Sequence, residues 1–200
     1  MKKEEHVKHL IFSFVAVAAV SLLALSAGTA SADEITSPAG TTAKEIVWSL
    51  IPGTSAKQVN TSGGEIMSCA KAKGTEPITS QGPGKPVTLT ASYDWENCTY
   101  PTKTLKAGGE ETDAPGESTT ATVKATSESQ ETMSTTLFGS CVYGVTAGTT
   151  IGSVNESTGE FSESVVTQKL SGSAIACPET AKWIAEWIRT VPDPYIYDNN

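Results

Sequence analysis

Little in this sequence can support acid–base, nucleophilic or metal chemistry. It holds two histidines, His6 and His9, both near the N-terminus, and a single arginine, Arg189. Aromatic residues make up 6% of the 200 residues, against 17 glycines and a dense scatter of Thr and Ser. If the N-terminal segment is removed, no histidine remains, which excludes His–Cys, His–Ser and His–metal arrangements. The lone arginine and a formal net charge of −8 exclude nucleic acid as a partner, because phosphates need clustered Lys and Arg. Past the N-terminal segment no apolar run approaches spanning length.

What is present first is an export signal. Lys2, Lys3 and Lys8 form a basic start diluted by Glu4 and Glu5, and Leu10 to Leu25 carries no charge. Ala30-Ser31-Ala32 is an A-x-A cleavage signal before Asp33. The expectation is a signal-peptide helix over residues 1–32, cut between Ala32 and Asp33, and a single β-rich extracellular domain over residues 33–200. The product is secreted or held at the cell surface. The alternative is an uncleaved anchor, since the apolar run approaches the ~20 residues that span a bilayer; only then is a membrane a partner. Residues 33–200 carry 11 basic and 20 acidic side chains, a net charge of −9.

The four cysteines, Cys69, Cys98, Cys141 and Cys177, all lie in the exported part. An even count in an exported chain implies two disulfides, and three connectivities are possible. Cys69–Cys98 with Cys141–Cys177 is favoured, because each pair closes one local strand–turn–strand segment. Loops of this length confer about 3–4 kcal/mol each by chain entropy, a useful amount for a lean core. Zinc is disfavoured by the absence of Cys-x-x-Cys spacing, and no cofactor is implied.

Periodicity points to strands almost throughout. Ala43 to Ile51, Glu65 to Cys69, Thr119 to Thr126, Thr132 to Phe138, Ser140 to Val145, Thr149 to Val154 and Glu160 to Lys169 are short apolar-rich or alternating runs. From Val87, the run VTLTASYDW alternates apolar residues with hydroxyls, as a half-exposed antiparallel strand does. Two stretches read as loops: Ala72 to Pro86, dense in Gly and Pro, and the acidic segment at about residues 105–118. The whole suggests nine to eleven strands in an all-β, antiparallel sandwich or open barrel, Ig-like in general architecture. Thr180 to Val191 (TAKWIAEWIRTV) stays open between helix and strand. At period two, Trp183, Ala185, Trp187 and Val191 share a face that Arg189 spoils.

Asp94-Trp95-Glu96-Asn97-Cys98-Thr99, Gly139-Ser140-Cys141, Ala176-Cys177-Pro178 and the tail Pro192-Asp193-Pro194-Tyr195 complete the pattern. With the export signal, they resemble a group of secreted actinobacterial proteins of unknown function, small, Thr/Gly-rich and built on four cysteines. The resemblance implies a strand for Lys182 to Val191 and carries no activity or binding residue with it. The acidic segment from Glu110 to Glu117 departs from the pattern.

Candidate sites are few. Glu110, Glu111, Asp113 and Glu117 are weak Ca²⁺ candidates without EF-hand spacing. Asp94 and Glu96, beside Tyr93 and Trp95, share one face of a strand and could be imagined as a glycosidase pair. Trp48, Trp95, Trp183 and Trp187 read as core anchors, or as an aromatic row if exposed. These features suggest a non-enzymatic domain with a structural or adhesive role in the envelope. The alternative is a module binding an extracellular glycan, wall polymer or protein through exposed Trp and Tyr, with Ca²⁺ assisting. A carboxylate-based hydrolase ranks below both.

Overall fold

A computed structural model describes residues 32–36, 40–83, 85–113, 119–126, 129–135, 139–173, 175, 177–192 and 196–198. Residues 1–31 of the expected signal segment and Glu117 lie outside the described residues, and Ala32 opens a strand. Within them every regular element is a strand. Strand β1 (Ala32–Thr36) precedes eight staves. Stave one is β2 (Glu45–Leu50) continued by β3 (Ala56–Asn60), and stave two is β4 (Glu65–Ser80). A short β5 (Gly82–Pro83) leads into stave three, β6 (Val87–Thr90) and β7 (Ser92–Cys98). Stave four is β8 (Thr102–Lys106) with β9 (Gly108–Asp113), and stave five is β10 (Thr120–Ala125) with β11 (Ser129–Thr135). Stave six is β12 (Gly139–Val145) with β13 (Thr150–Asn155). β14 (Glu160–Ser171) and β15 (Thr180–Val191) are staves seven and eight, and β16 (Ile196–Asp198) follows.

Each stave pairs antiparallel with the next in sequence, and the eighth returns to the first through β15–β2 and β15–β3. That is a closed up-and-down barrel, in which every stave has a paired neighbour on both sides over at least part of its length. The closure corrects the expected Ig-like sandwich or open barrel. Alternating strands look the same in both architectures; the distinction lies in whether the last strand finds the first, which periodicity does not encode.

The two ends differ. At one, the ring end, staves meet through the complete cycle β2–β4–β6–β9–β10–β13–β14–β15. There β1 pairs with β16 and β5 in a small separate sheet, and Ile35 is fully buried in the core. Gln81 fixes this lid, accepting from Ile35 N at 3.1 Å and donating to Ala43 O at 2.7 Å. At the other end β7 pairs with β4 and β8 with β11, while β7 and β8 lie side by side without a ladder. Both disulfides are here, Cys69–Cys98 across directly paired positions and Cys141–Cys177 between β12 and the approach to β15. This is the favoured connectivity.

Both expected loops contain strands. β4 runs through Gly74 and Pro77 because each has a local reason to be there. A side chain at Gly74 would meet the Tyr93 ring, with Cβ only 2.8 Å from its Cε1, so the ring covers the glycine backbone. Pro77 lies on the exposed side, where the partner of β4 passes from β7 to β6. The missing amide therefore falls at a break in that ladder. The acidic segment likewise enters the barrel wall as β8 and β9. At Thr180–Val191 the strand holds: Ala181, Trp183, Ala185, Trp187 and Arg189 are all buried on one face. Small and large residues alternate along it, as the interior of a narrow barrel requires. Arg189 continues the inward face, and a register shift between Arg189 and Val191 turns Val191 outward.

Candidate functional site in the barrel interior

The inward faces of the staves bring together aromatic rings and carboxylates. Tyr93 stacks on Trp95 at 5.4 Å between centroids, Trp95 meets Trp183 edge-on at 5.3 Å, and Tyr93 lies 5.4 Å from Trp187. Trp48 packs on Phe161 at 5.6 Å. With Trp48, Trp183 and Trp187 each no more than 3% exposed, these tryptophans form an internal cage instead of a surface row.

The indole and phenol donors of this cage are aimed at glutamates. Trp48 Nε1 donates to Glu76 Oε2 at 2.7 Å and Tyr93 Oη donates to Glu76 Oε1 at 2.9 Å. Trp187 Nε1 donates to Glu163 Oε2 at 3.1 Å. Arg189 approaches Glu111 at 3.6 Å, with both side chains about 1% exposed, and its guanidinium lies 4.8 Å from the centre of the Trp48 ring. The only arginine of the chain is thus inside the barrel, between an acid and an indole face, where a planar, weakly hydrated cation is best accommodated.

Burial dominates the acidity of these groups. Desolvation raises Glu76 even though the Trp48 and Tyr93 bonds and Arg189 oppose it. Desolvation pushes Glu163 up to about 7 against the indole bonds, and Glu76 adds repulsion. Glu131 is raised well above the usual carboxylate range by desolvation and then by Glu163. The cause is common to all three: carboxylates sharing a poorly hydrated space resist ionising together.

A cavity of about 70 Å³, counted as space open to the centres of water molecules, lies among these groups. Trp48, Tyr93, Tyr143, Phe161 and Trp183 supply aromatic walls, and Glu76, Glu111, Glu131 and Glu163 also line it. It reaches Thr104 and Lys106, so it extends to the seam between staves three and four, at whose margin Ala91 N donates to Ala107 O at 3.2 Å. Trp95 Nε1 donates to Thr104 Oγ1 across that seam at 2.9 Å.

The sequence-derived candidates are distributed differently. Glu110 and Glu111 are neighbours on β9 and therefore point to opposite faces, with only Glu111 buried. The expected Ca²⁺ cluster therefore does not converge through this pair. Among the described residues no three His, Cys, Asp or Glu side chains come together as a metal site. Asp94 and Glu96 do share a face of β7, but it is the exposed one, opposite Lys73 and Lys71 on β4. The interior acids Glu76, Glu131 and Glu163 were missed. One signal was available: Glu163 is in phase with Phe161 and Val165, Glu131 with Met133, and Arg189 with Trp187. A charged residue at an apolar-phase position of a strand marks a polar interior.

No protein-family model, curated protein or solved structure matches this chain. The class that the fold and site define is therefore stated in structural terms: an eight-staved up-and-down barrel, disulfide-stapled at one end, with an acidic, aromatic-walled interior.

Proposed function

We propose that this is an exported, non-enzymatic binding protein that holds a small molecule inside its barrel. The observation that carries the reading is the cavity itself, where aromatic rings and glutamates from staves one to eight line one shared space. Eight-staved barrels are about wide enough for side chains to fill them or for one small ligand to be held. Two disulfides with no free cysteine support an oxidising, extracellular destination, as do the export signal and the resemblance to secreted actinobacterial proteins. The structural or adhesive role suggested by composition gives no reason for buried acids. The glycan-platform reading needs exposed tryptophans, whereas Trp48, Trp183 and Trp187 are internal.

The test is a thermal-shift and tryptophan-fluorescence screen of residues 33–200 against small polar and aromatic compounds, polysaccharides and Ca²⁺. Binding in the cavity perturbs the Trp emission and raises Tm together, by linkage. A response confined to polysaccharide or Ca²⁺ with unchanged emission would move the site to the outer surface.

One observation favours a second reading. Glu163, held at about 7 beside Glu76 and Glu131, has the acidity of a general acid in a carboxylate-based hydrolase. Turnover of aryl glycosides by the wild type and its abolition in Glu163→Gln would establish that reading over simple binding.

A further inference from the structure

The charge inside the barrel is unbalanced. Glu76, Glu111, Glu131 and Glu163 line the cavity, and Arg189 is the one buried cation among the described residues. Arg189 is engaged with Glu111 and with the face of Trp48. Lys106 also lines the cavity but is an exposed residue, at the seam. Glu76 shares the attraction of Arg189, and Glu131 and Glu163 face the space with no interior cation acting on them.

The neutral donors present are already directed at these acids: Trp48 and Tyr93 at Glu76, and Trp187 at Glu163. The cavity consequently offers a ligand negative charge and aromatic faces. An anion would meet three carboxylates in a poorly hydrated space, which is costly. A neutral ligand would leave the repulsion among them untouched. A cation relieves it, and the aromatic rings that line the wall, Tyr143 and Trp183 among them, attract a cation through the ring quadrupole. A hydrated divalent metal gains nothing from aromatic walls, whereas an organic cation uses both features.

We infer that the ligand is a small organic cation, an ammonium or amidinium, held between the aromatic walls and the carboxylates of Glu76, Glu131 and Glu163. This rests on the interior being a ligand site. The route in is the seam beyond the Ala91 N to Ala107 O bond, where Thr104 and Lys106 bring the cavity to the wall and no β7–β8 ladder has to be broken.

The experiment is calorimetric titration of the disulfide-bonded chain, residues 33–200, at pH 8 and pH 5. The probes are choline, benzamidine and phenethylamine, each beside a neutral compound of similar shape: 3,3-dimethyl-1-butanol, benzamide and 3-phenyl-1-propanol. At least one cation is expected to bind tenfold or more tightly than its neutral counterpart at pH 8. That advantage shrinks at pH 5, because protons then occupy the carboxylates, and near pH 7 binding releases protons to the buffer. Glu163→Gln and Glu131→Gln should each weaken the cation severalfold and leave the neutral compound unchanged. Equal binding within every pair would overturn the cation assignment while leaving the interior a ligand site. If no probe of either kind binds, and the wider small-molecule screen is also silent, the interior site fails and this inference with it.

Discussion

The two ends of the barrel are built differently. At the ring end, eight staves hydrogen-bond in an unbroken cycle, and β1 with Ile35 closes the top. At the stapled end β7 and β8 do not pair, and the two disulfides lie on other connections, one within the β4–β7 pairing and one between β12 and the approach to β15. The charges follow the same division. Arg189, Glu111 and Glu76 sit toward the ring end, inside the complete ladder, whereas the Trp95–Thr104 bond is a single side-chain link across the seam. Continuous backbone pairing supplies a rigid wall in which a desolvated ion pair can keep its geometry. An interrupted wall leaves a way in.

Removing the staples should have the largest effect. Converting both disulfides to alanine pairs is expected to cost about 3–4 kcal/mol each by chain entropy. In hydrogen exchange, β3, β7, β8 and β12 should then lose protection well before β9, β10 and β13. Uniform loss would mean that the ends are not separate. Breaking the ring end at its charge comes next. Arg189→Met should destabilise by about 3–5 kcal/mol at pH 8, since it leaves Glu111 buried without its cation. Adding Glu111→Gln should recover most of that loss in denaturant unfolding.

The acids set the sign of the pH dependence. Glu163 has its folded value raised from 4.5 to about 7, so between those values the folded state binds more protons than the unfolded. Stability therefore falls as pH rises through this window, and Glu131 and Glu76 act in the same direction. Tm should be higher near pH 5 than at pH 8. Glu163→Gln should flatten that slope and gain about 1–3 kcal/mol at pH 8, the lower figure allowing for the residue's partial exposure. Smallest is the seam bond: Trp95→Phe should cost about 1 kcal/mol and speed amide exchange chiefly in β8.

How much of this the sequence displayed depends on the residue. Phe161 and Val165 announced their strand by alternation, Trp183 and Trp187 left theirs open between helix and strand, and the four cysteines announced two staples. Gly74 and Pro77 concealed half of β4, because the ring above one and the ladder break beside the other are tertiary features. Glu163 and Arg189 were visible as interruptions of an apolar phase. Their meaning was not, since a charge on an inward face reads as a broken pattern until the barrel closes around it. Asp94 and Glu96 show the converse: a pair on one face was legible, but not which face.

The central claim is that carboxylates share the inside of this barrel. Carbon-13 NMR titration of the glutamate side-chain carboxyls tests it most directly, resonance by resonance, with Glu163→Gln for assignment. The account predicts that the Glu163 carboxyl titrates near pH 7, with Glu131 also displaced upward, and that a bound organic cation lowers the Glu163 midpoint. If every glutamate titrates between about 4 and 5, as solvated carboxylates do, the interior is not the acidic, poorly hydrated space described, and the proposed ligand site has no basis.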